Sequence, residues 1–177
     1  KLFPYTTLFR SLRQKYRSTS GKRRREFNNK EVVMLIGYGM NHMRYLDGAG
    51  YFFYFQLDVQ FRLAQLIRNC GYYLIYKVHP DRAQEVGSLF GPYVDKCEVR
   101  PFEEVWDSAH KYVFSHPGST VFGGAIMTKK PMVLIDIENN NWRKEGYDSL
   151  KKRVQMIPAR YNDENRIEFN EENLFSG

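Results

Sequence analysis

Residues 111–136, KYVFSHPGSTVFGGAIMTKKPMVLID, decide the fold, because they read as strand, loop, helix and strand in direct succession. Residues 111–115 are aromatic and β-branched, which is typical of a buried strand. Proline and glycine at 116–118 indicate a turn, and a helix is expected over 121–128. A second apolar strand follows at 132–136. The stretch therefore predicts one β-α-β unit.

The loop inside this unit has the chemistry of an anion site. Ser119 or Thr120 can cap the helix, whose first backbone N–H groups have no partner within it. The helix dipole favours negative charge at the same point. His116 adds a side-chain donor, and Gly118 favours the turn before the helix because glycine allows φ > 0. The alternative is an ordinary capping turn that binds nothing.

The rest of the chain repeats the alternation of strand and helix. Apolar runs at residues 31–37, 72–78, 96–99 and 154–157 read as further strands. Helical spacing is found at 58–69, 81–90 and 102–110, with Gln60 on the polar side of the first of these, and a last helix is expected to open at 171–174. Residues 51–55 fit either a short strand or an aromatic segment packed on the core. The pattern predicts an α/β fold, a Rossmann-like open parallel sheet with helices on both faces.

Two more groups of polar side chains follow predicted strands. Lys77 and His79 end the strand at 72–78 and share one side of it, because residues two apart do so. Asp136 ends the strand at 132–136, and Glu138 follows it. Parallel strands end at one edge of a sheet, so we expect both groups to meet the His116 loop there. A lysine and two histidines suit a diphosphate, and the acids suit sugar or ribose hydroxyls.

The loop at residues 41–50 follows the first strand and carries His42, Arg44 and Asp47. These three are further binding candidates, because loops at the carboxyl ends of parallel strands often hold ligands. A solvated loop without a ligand is the alternative.

Composition limits the class of protein. The chain has 177 residues, 16% of them aromatic, and a net charge of +7, which indicates a folded domain that suits phosphate-bearing partners. Cys70 and Cys97 have neither metal nor redox spacing, and we expect free thiols in the cytoplasm. Apolar runs fall short of the roughly 18–20 residues that span a bilayer.

Much of the positive charge lies in a basic segment over residues 12–30, centred on Lys22, Arg23, Arg24 and Arg25. The segment predicts either an arm that contacts an anionic membrane from the cytoplasmic side or a solvated linker. Aromatic residues are not interleaved with these charges, so specific nucleic-acid binding is not expected.

The first eleven residues have a different origin. Leu2 to Ser11 read LFPYTTLFRS, which is the translation of a common sequencing-adapter oligonucleotide. We therefore expect residues 1–11 to be an artefact of an assembled environmental read and leave them out of the fold, as one would an expression tag. The predicted organisation is this artefact, the basic linker at 12–30, and one Rossmann-like domain at 31–177.

The order of motifs resembles a known family. YKVHP at 76–80, FSHPGST at 114–120 and KPMVL at 130–134 are similar in order and spacing to the C-terminal, donor-binding half of GT-B glycosyltransferases. The nearest in pattern are bacterial surface and capsular polysaccharide transferases, together with CDP-glycerol glycerophosphotransferases and polysialyltransferases. The resemblance covers residues 31–160.

This resemblance implies a nucleotide-activated sugar as donor substrate, a glycan or lipid-linked acceptor, and no other cofactor or metal. By position, Lys77 and His79 would hold the donor phosphate or orient its sugar, and Ser119 and Thr120 would bind the diphosphate. His116 stands where the family usually has threonine. Gly124 stands where many members have an acid that contacts the ribose. The acceptor site and the usual catalytic base belong to an N-terminal half, so no catalytic residue is predicted here.

Two alternatives remain open at this stage. One is an enzyme similar to UDP-sugar 2-epimerases, which share the architecture. The other is a non-catalytic module that binds phosphate or nucleic acid through Lys22 to Arg25.

Overall fold

The structure is a computed structural model that describes residues 30–39, 53–81, 83–138, 142–164 and 166–175. These residues form one seven-stranded sheet with helices around it. The strands are β1 (Val32–Ile36), β2 (Tyr73–Lys77), β3 (Lys96–Glu98), β4 (Lys111–Phe114), β5 (Met132–Ile137), β6 (Gln155–Tyr161) and β7 (Ile167–Phe169). The helices are α1 (Phe53–Asn69), α2 (Ala83–Phe90), α3 (Phe102–Val105), α4 (Thr120–Met127) and α5 (Lys144–Lys151).

The sheet has the strand order β3-β2-β1-β4-β5-β6-β7. The first six strands in this order are parallel, and β7 pairs antiparallel with β6. The chain winds outward in one direction from β1 and in the other from β4, so the order reverses between these two strands. This arrangement confirms the predicted Rossmann-like open sheet and puts its switch point between β1 and β4.

Helices cover both faces of the sheet, as predicted. Val59 and Leu63 of α1 and Phe90 of α2 pack on one face, against side chains such as Val33 and Leu74. On the other face, α3 and α4 bury a second set of apolar residues against β1, β4 and β5: Phe102, Val105, Trp106, Phe122 and Ala125. The central strands β1 and β4 are buried on both sides, which explains why they read as continuous apolar runs.

Several local predictions need correction. Residues 53–55 are not a strand, because α1 begins at Phe53. The alternative of an aromatic segment packed on the core holds for Phe55, whereas Tyr54 stays 64% exposed. The predicted helix over 102–110 is short, and a 3-10 turn, Trp106–Ser108, replaces its second half. At the C-terminus the structure has a 3-10 helix, Glu171–Leu174.

The segment after β5 holds more structure than the sequence indicated. The charged stretch before residue 152 forms α5, and β6 runs on to Tyr161, beyond the predicted end at 157. The acidic segment that follows contains β7, which the sequence analysis missed. Its strand has only three residues, with a single buried side chain at Ile167, so it carries little apolar signal.

Candidate functional site

The candidate site lies at the carboxyl edge of the sheet, at the switch point. Here β1 runs into Gly37, Tyr38 and Gly39, with the N–H of Gly37 donating to the carbonyl of Lys77 at 2.9 Å. The neighbouring strands on either side of β1 end in the two histidine turns, at His79 after β2 and at His116 after β4. The fold therefore brings both predicted histidines to the same glycine-flanked turn.

His79 packs directly on the turn after β1. A Cβ atom placed on Gly39 would lie 3.0 Å from Cε1 of the imidazole, so glycine is the residue that allows this approach. Nδ1 of His79 accepts a hydrogen bond from the backbone N–H of Asp81 at 3.2 Å. The Asp81 carboxylate is 3.5 Å from the same nitrogen, close enough to pair with an imidazolium. The shorter amide contact is the one that fits a neutral ring.

His116 occupies the other side of the same turn. Its ring lies 4.5 Å from that of Tyr38, centroid to centroid, and the residue is half-buried. The backbone N–H of Gly118 donates to Nδ1 of His116 at 2.8 Å. A Cβ on Gly118 would come within 2.4 Å of Cε1 of the same ring. Gly118 is therefore required by the position of the imidazole.

Ser119 and Thr120 open helix α4 beside His116. Ser119 is the N-cap: its hydroxyl oxygen accepts from the N–H of Phe122 at 3.2 Å, and its backbone is extended. That bond does not use the hydroxyl proton, which can be donated elsewhere. Thr120 is the first residue of α4 and is exposed. Gly124, one turn further along, is half-buried within the same helix.

Lys77 lies at the end of β2 and is buried there. It is 5% exposed, and its ammonium group donates to the carbonyl of Val78 at 2.7 Å. Burial lowers the pKa of Lys77, and the nearby carboxylates of Glu98 and Glu103 oppose that shift. Phosphate binding by Lys77 would require the side chain to leave this bond, and that role stays a prediction.

The two acids after β5 lie in separate environments. Asp136 accepts hydrogen bonds on both carboxylate oxygens, from Nε1 of Trp142 at 2.9 Å and from the hydroxyl of Tyr147 at 2.9 Å. It thereby fastens α5 to the end of β5. Glu138 accepts from the N–H of Tyr161 and borders a cavity of about 510 Å³ with Arg62 and Phe169. Binding of sugar hydroxyls by either acid stays a prediction.

A buried polar chain beneath the switch point was missed by the sequence analysis. The hydroxyl of Tyr76 donates to Oε1 of Gln60 at 2.6 Å, and Nε2 of Gln60 donates to Oγ of Ser115 at 3.2 Å. Gln60 was expected on the polar side of its helix, yet it is fully buried. Its spacing from Leu63 and Ile67, three and seven residues on, was the available signal.

This series of hydrogen bonds links the two histidine turns through α1. Tyr76 lies on β2 shortly before His79, and Ser115 directly precedes His116. A Cβ on Gly37 would lie 2.8 Å from the Tyr76 hydroxyl oxygen, so the turn after β1 rests on the same group. Burial raises the pKa of Tyr76, which keeps its hydroxyl a donor at neutral pH. Because a buried hydrogen-bond network restricts the side chains that it joins, this one couples the positions of the two turns.

Some predicted residues lie outside the described ones. They are the loop candidates His42, Arg44 and Asp47, the basic group Lys22, Arg23, Arg24 and Arg25, and the adapter-like residues 1–11. Among residues that the structure does describe, no group of three or more His, Cys, Asp or Glu side chains could hold a metal ion. In the same part of the chain, no helix combines the length and the apolar character needed to cross a bilayer. Cys70 and Cys97 are free thiols.

Comparisons with known proteins bear on the fold. No model of a known protein family matches the chain, and neither does any curated protein. A solved structure described as "Structure of MT0777" matches with a TM-score of 0.50 and 10% sequence identity, over 81% of this chain and 91% of that one. This is a likeness of fold.

A second solved structure is Thermosulfurimonas dismutans KpsC, a beta Kdo 2,7 transferase. It matches with a TM-score of 0.40 and 17% identity, over 76% of this chain and 43% of that one. The present chain therefore spans less than half the length of that protein.

Proposed function

We propose that this domain binds the nucleoside diphosphate or monophosphate portion of an activated sugar at the switch point of its sheet. It would serve as the donor-binding domain of a glycosyltransferase that builds bacterial surface or capsular polysaccharide. The observation that carries the proposal is the position of His79 and His116, which pack on opposite sides of the turn after β1. Ligands of open α/β sheets bind at this point.

The polar groups at the carboxyl edge of the sheet support a phosphate ligand. The hydroxyl of Ser119 and the first N–H groups of α4 are hydrogen-bond donors at this edge, beside the two imidazoles, and the helix dipole there favours negative charge. Donors that are already oriented stabilise the charge that develops on a leaving nucleotide. The net charge of +7 comes from the basic residues that precede residue 31, so it supports contact with an anionic surface through that segment.

The remaining roles follow from the same proposal. The acceptor would be a glycan or a lipid-linked sugar at the membrane surface. Lys22 to Arg25 would hold the protein against the anionic inner face of that membrane, in the cytoplasm. Asp136 and Glu138, at the carboxyl end of β5, would bind hydroxyls of the sugar or of the ribose.

The test is calorimetry with UDP-, CDP- and CMP-linked sugars. We expect one of these donor classes to bind, with affinity falling by about tenfold in His79→Ala and again in His116→Ala, the usual loss for a hydrogen bond to a charged group. The control is His110→Asn at the other end of the sheet. Its amide oxygen can replace the imidazole nitrogen that accepts from the N–H of Val32.

Binding that is equal in the wild type and in His79→Ala removes His79 from the site. A wild-type protein that binds none of the three donor classes overturns the proposed function as a whole.

A further inference from the structure

A cavity of about 510 Å³ lies beside the last two strands of the sheet, away from the histidine turns. It is bordered by residues 158–160 of β6 and by residues 168–171 in and after β7. Two strand spacings of roughly 4.8 Å separate β6 from β4, which leads into His116, so the cavity begins about 10 Å along the sheet from that turn. Small-molecule sites usually have about 300–1,000 Å³, and this cavity is of that size.

Three polar side chains at the cavity are each held in place by one hydrogen bond. Oε1 of Glu138 accepts from the N–H of Tyr161, and Oε1 of Glu168 accepts from Nδ2 of Asn162, both at 2.9 Å. Oδ1 of Asn170 accepts from a backbone N–H two residues further on, at 3.0 Å. Within the part of the chain that the structure describes, the second oxygen of each glutamate and the amide nitrogen of Asn170 make no further hydrogen bond. Acceptors and a donor are therefore left over for a ligand.

Arg160 adds a second donor between the two glutamates. It is the cross-strand partner of Glu168, and its neighbour Ala159 accepts from the N–H of Glu138 at 2.8 Å. The Arg160 side chain is exposed, and it makes no hydrogen bond or ion pair with any residue that the structure describes. A guanidinium group thus lies in the same wall as the carboxylates without being neutralised by them.

This mixture of groups selects the class of ligand. Three carboxylates border the cavity, the third being that of Glu171, and they repel a phosphate. The guanidinium groups of Arg62 and Arg160 repel a polyamine. An apolar ligand would cover all these groups without giving them hydrogen bonds, which is costly. A hydroxyl group both donates and accepts, so an uncharged sugar can bond to carboxylate, amide and guanidinium groups alike.

We propose that this cavity binds an uncharged sugar unit of the acceptor glycan, as an acceptor subsite carried by this domain. The assignment to the acceptor rests on the proposed function, whereas the class of ligand rests on the cavity alone. Glu138 borders the cavity and is also one of the two acids proposed for the donor, so an acceptor held here would lie next to the donor sugar.

Backbone amide shifts in proton–nitrogen NMR of the full chain test the class of ligand. Methyl glycosides of glucose, galactose and N-acetylglucosamine are the neutral probes, and inorganic pyrophosphate and spermidine are the charged ones. We expect at least one glycoside to shift residues 158–160 and 168–171, and both charged probes to leave these residues unchanged. A response to a charged probe alone overturns the inference, as does a response to none of the probes.

Two variants test the side chains. Arg160→Gln and Glu168→Gln should each weaken glycoside binding by about tenfold, the usual loss for a hydrogen bond to a charged group. Arg143→Gln and Glu172→Gln are the matched controls, because both residues are exposed and neither borders the cavity. The controls should bind as the wild type does. Equal binding by all four variants would remove Arg160 and Glu168 from the site and overturn the inference.

Competition separates the acceptor from the sugar of the donor. The glycoside and the UDP-, CDP- or CMP-linked sugar should bind together, each with unchanged affinity. Displacement of the glycoside by the nucleotide sugar would put the donor's own sugar in the cavity and overturn the assignment to the acceptor. Glycoside binding without binding of any nucleotide sugar would overturn the proposed function and the acceptor with it, while supporting the cavity as a site for an uncharged sugar.

Discussion

The two edges of the sheet hold their histidines in different ways. At the carboxyl edge, His79 and His116 each bond to a backbone amide two residues further along the chain. At the amino edge, His110 bonds to the N–H of Val32, which is 78 residues away. The long-range bond joins two strands and therefore supports the fold. The local bonds orient a ring within its own turn.

Lys130 shows the same contrast. The resemblance made it part of a motif, but it lies at the amino edge, before β5. Its ammonium group donates to the carbonyls of Trp106, at 2.9 Å, and Ala109, and lies 4.9 Å from the centre of the Trp106 indole. These partners are 24 and 21 residues away, so Lys130 fastens the end of α3 to the start of β5.

Replacement of Lys130 has the largest expected effect on the free energy of unfolding. Lys130→Met should lower the free energy of unfolding by about 3 kcal/mol, because two carbonyls lose their charged donor. Urea unfolding at pH 7 measures this, and this pH lies below the value of about 8 to which burial lowers the pKa of Lys130. The exposed neighbour Lys129→Met is the control.

Pyrophosphate affinity per folded molecule should be the same in Lys130→Met and the wild type. If Lys130→Met kept its stability but bound pyrophosphate more weakly, the amino edge would take part in binding, and the contrast between the two edges would be wrong.

The next largest effect on stability is expected for Glu98, at acidic pH. This buried carboxylate bonds to Arg100 at 2.6 Å and to Lys96 at 2.8 Å, and these partners lower its pKa to about 2. A folded-state pKa below the unfolded one gives stability that is complete above about pH 4.5 and is lost as the pH falls through 2. We expect about 2 kcal/mol, since both basic partners are partly exposed.

Urea unfolding at several acidic pH values should show a flatter profile for Glu98→Gln than for the wild type and for the exposed control Glu104→Gln. Binding of pyrophosphate at pH 7 should not change, because Glu98 belongs to the edge strand β3. An unchanged pH profile would show that the cluster contributes no stability.

The smallest effect on stability, and the clearest effect on binding, is expected at two glycines, Gly118 in the loop before α4 and Gly123 within α4. Gly118→Ala should displace His116, whose Cε1 would lie 2.4 Å from the new Cβ, and weaken pyrophosphate binding by about tenfold. Gly123→Ala meets no atom within 4 Å and should stabilise α4 by about 0.5–1 kcal/mol. Calorimetry and thermal unfolding measure the pair. Equal binding by the two variants would argue against the placement of the His116 ring.

The sequence predicted the sheet well because each buried strand is a continuous apolar run. Residues 32–36 read VVMLI and are buried throughout, so composition alone locates the strand. The helix start at Phe53 was missed, since aromatic residues favour both strands and buried helix turns. β7 was missed because three residues with one buried side chain carry too little periodicity.

The site was predictable only in part. His79 and His116 could be located, because proline after each histidine ends a strand and parallel strands end together. The burial of Lys77 and of Gln60 depends on which neighbours close over them, which no local pattern records. The same holds for Asp136, whose partners are Trp142, just before the following helix, and Tyr147 within that helix.

The pairing of β1 with β4 has a consequence during synthesis. Val33 lies beside Lys111 in the sheet, so the central strand gains its second neighbour only after the ribosome has added residues 111–114. Until then the nascent chain displays VVMLI with one unsatisfied backbone edge, a template for sticking to other chains. Translation that pauses before this point therefore exposes the protein to misassembly, and a chaperone that shields residues 32–36 would protect it.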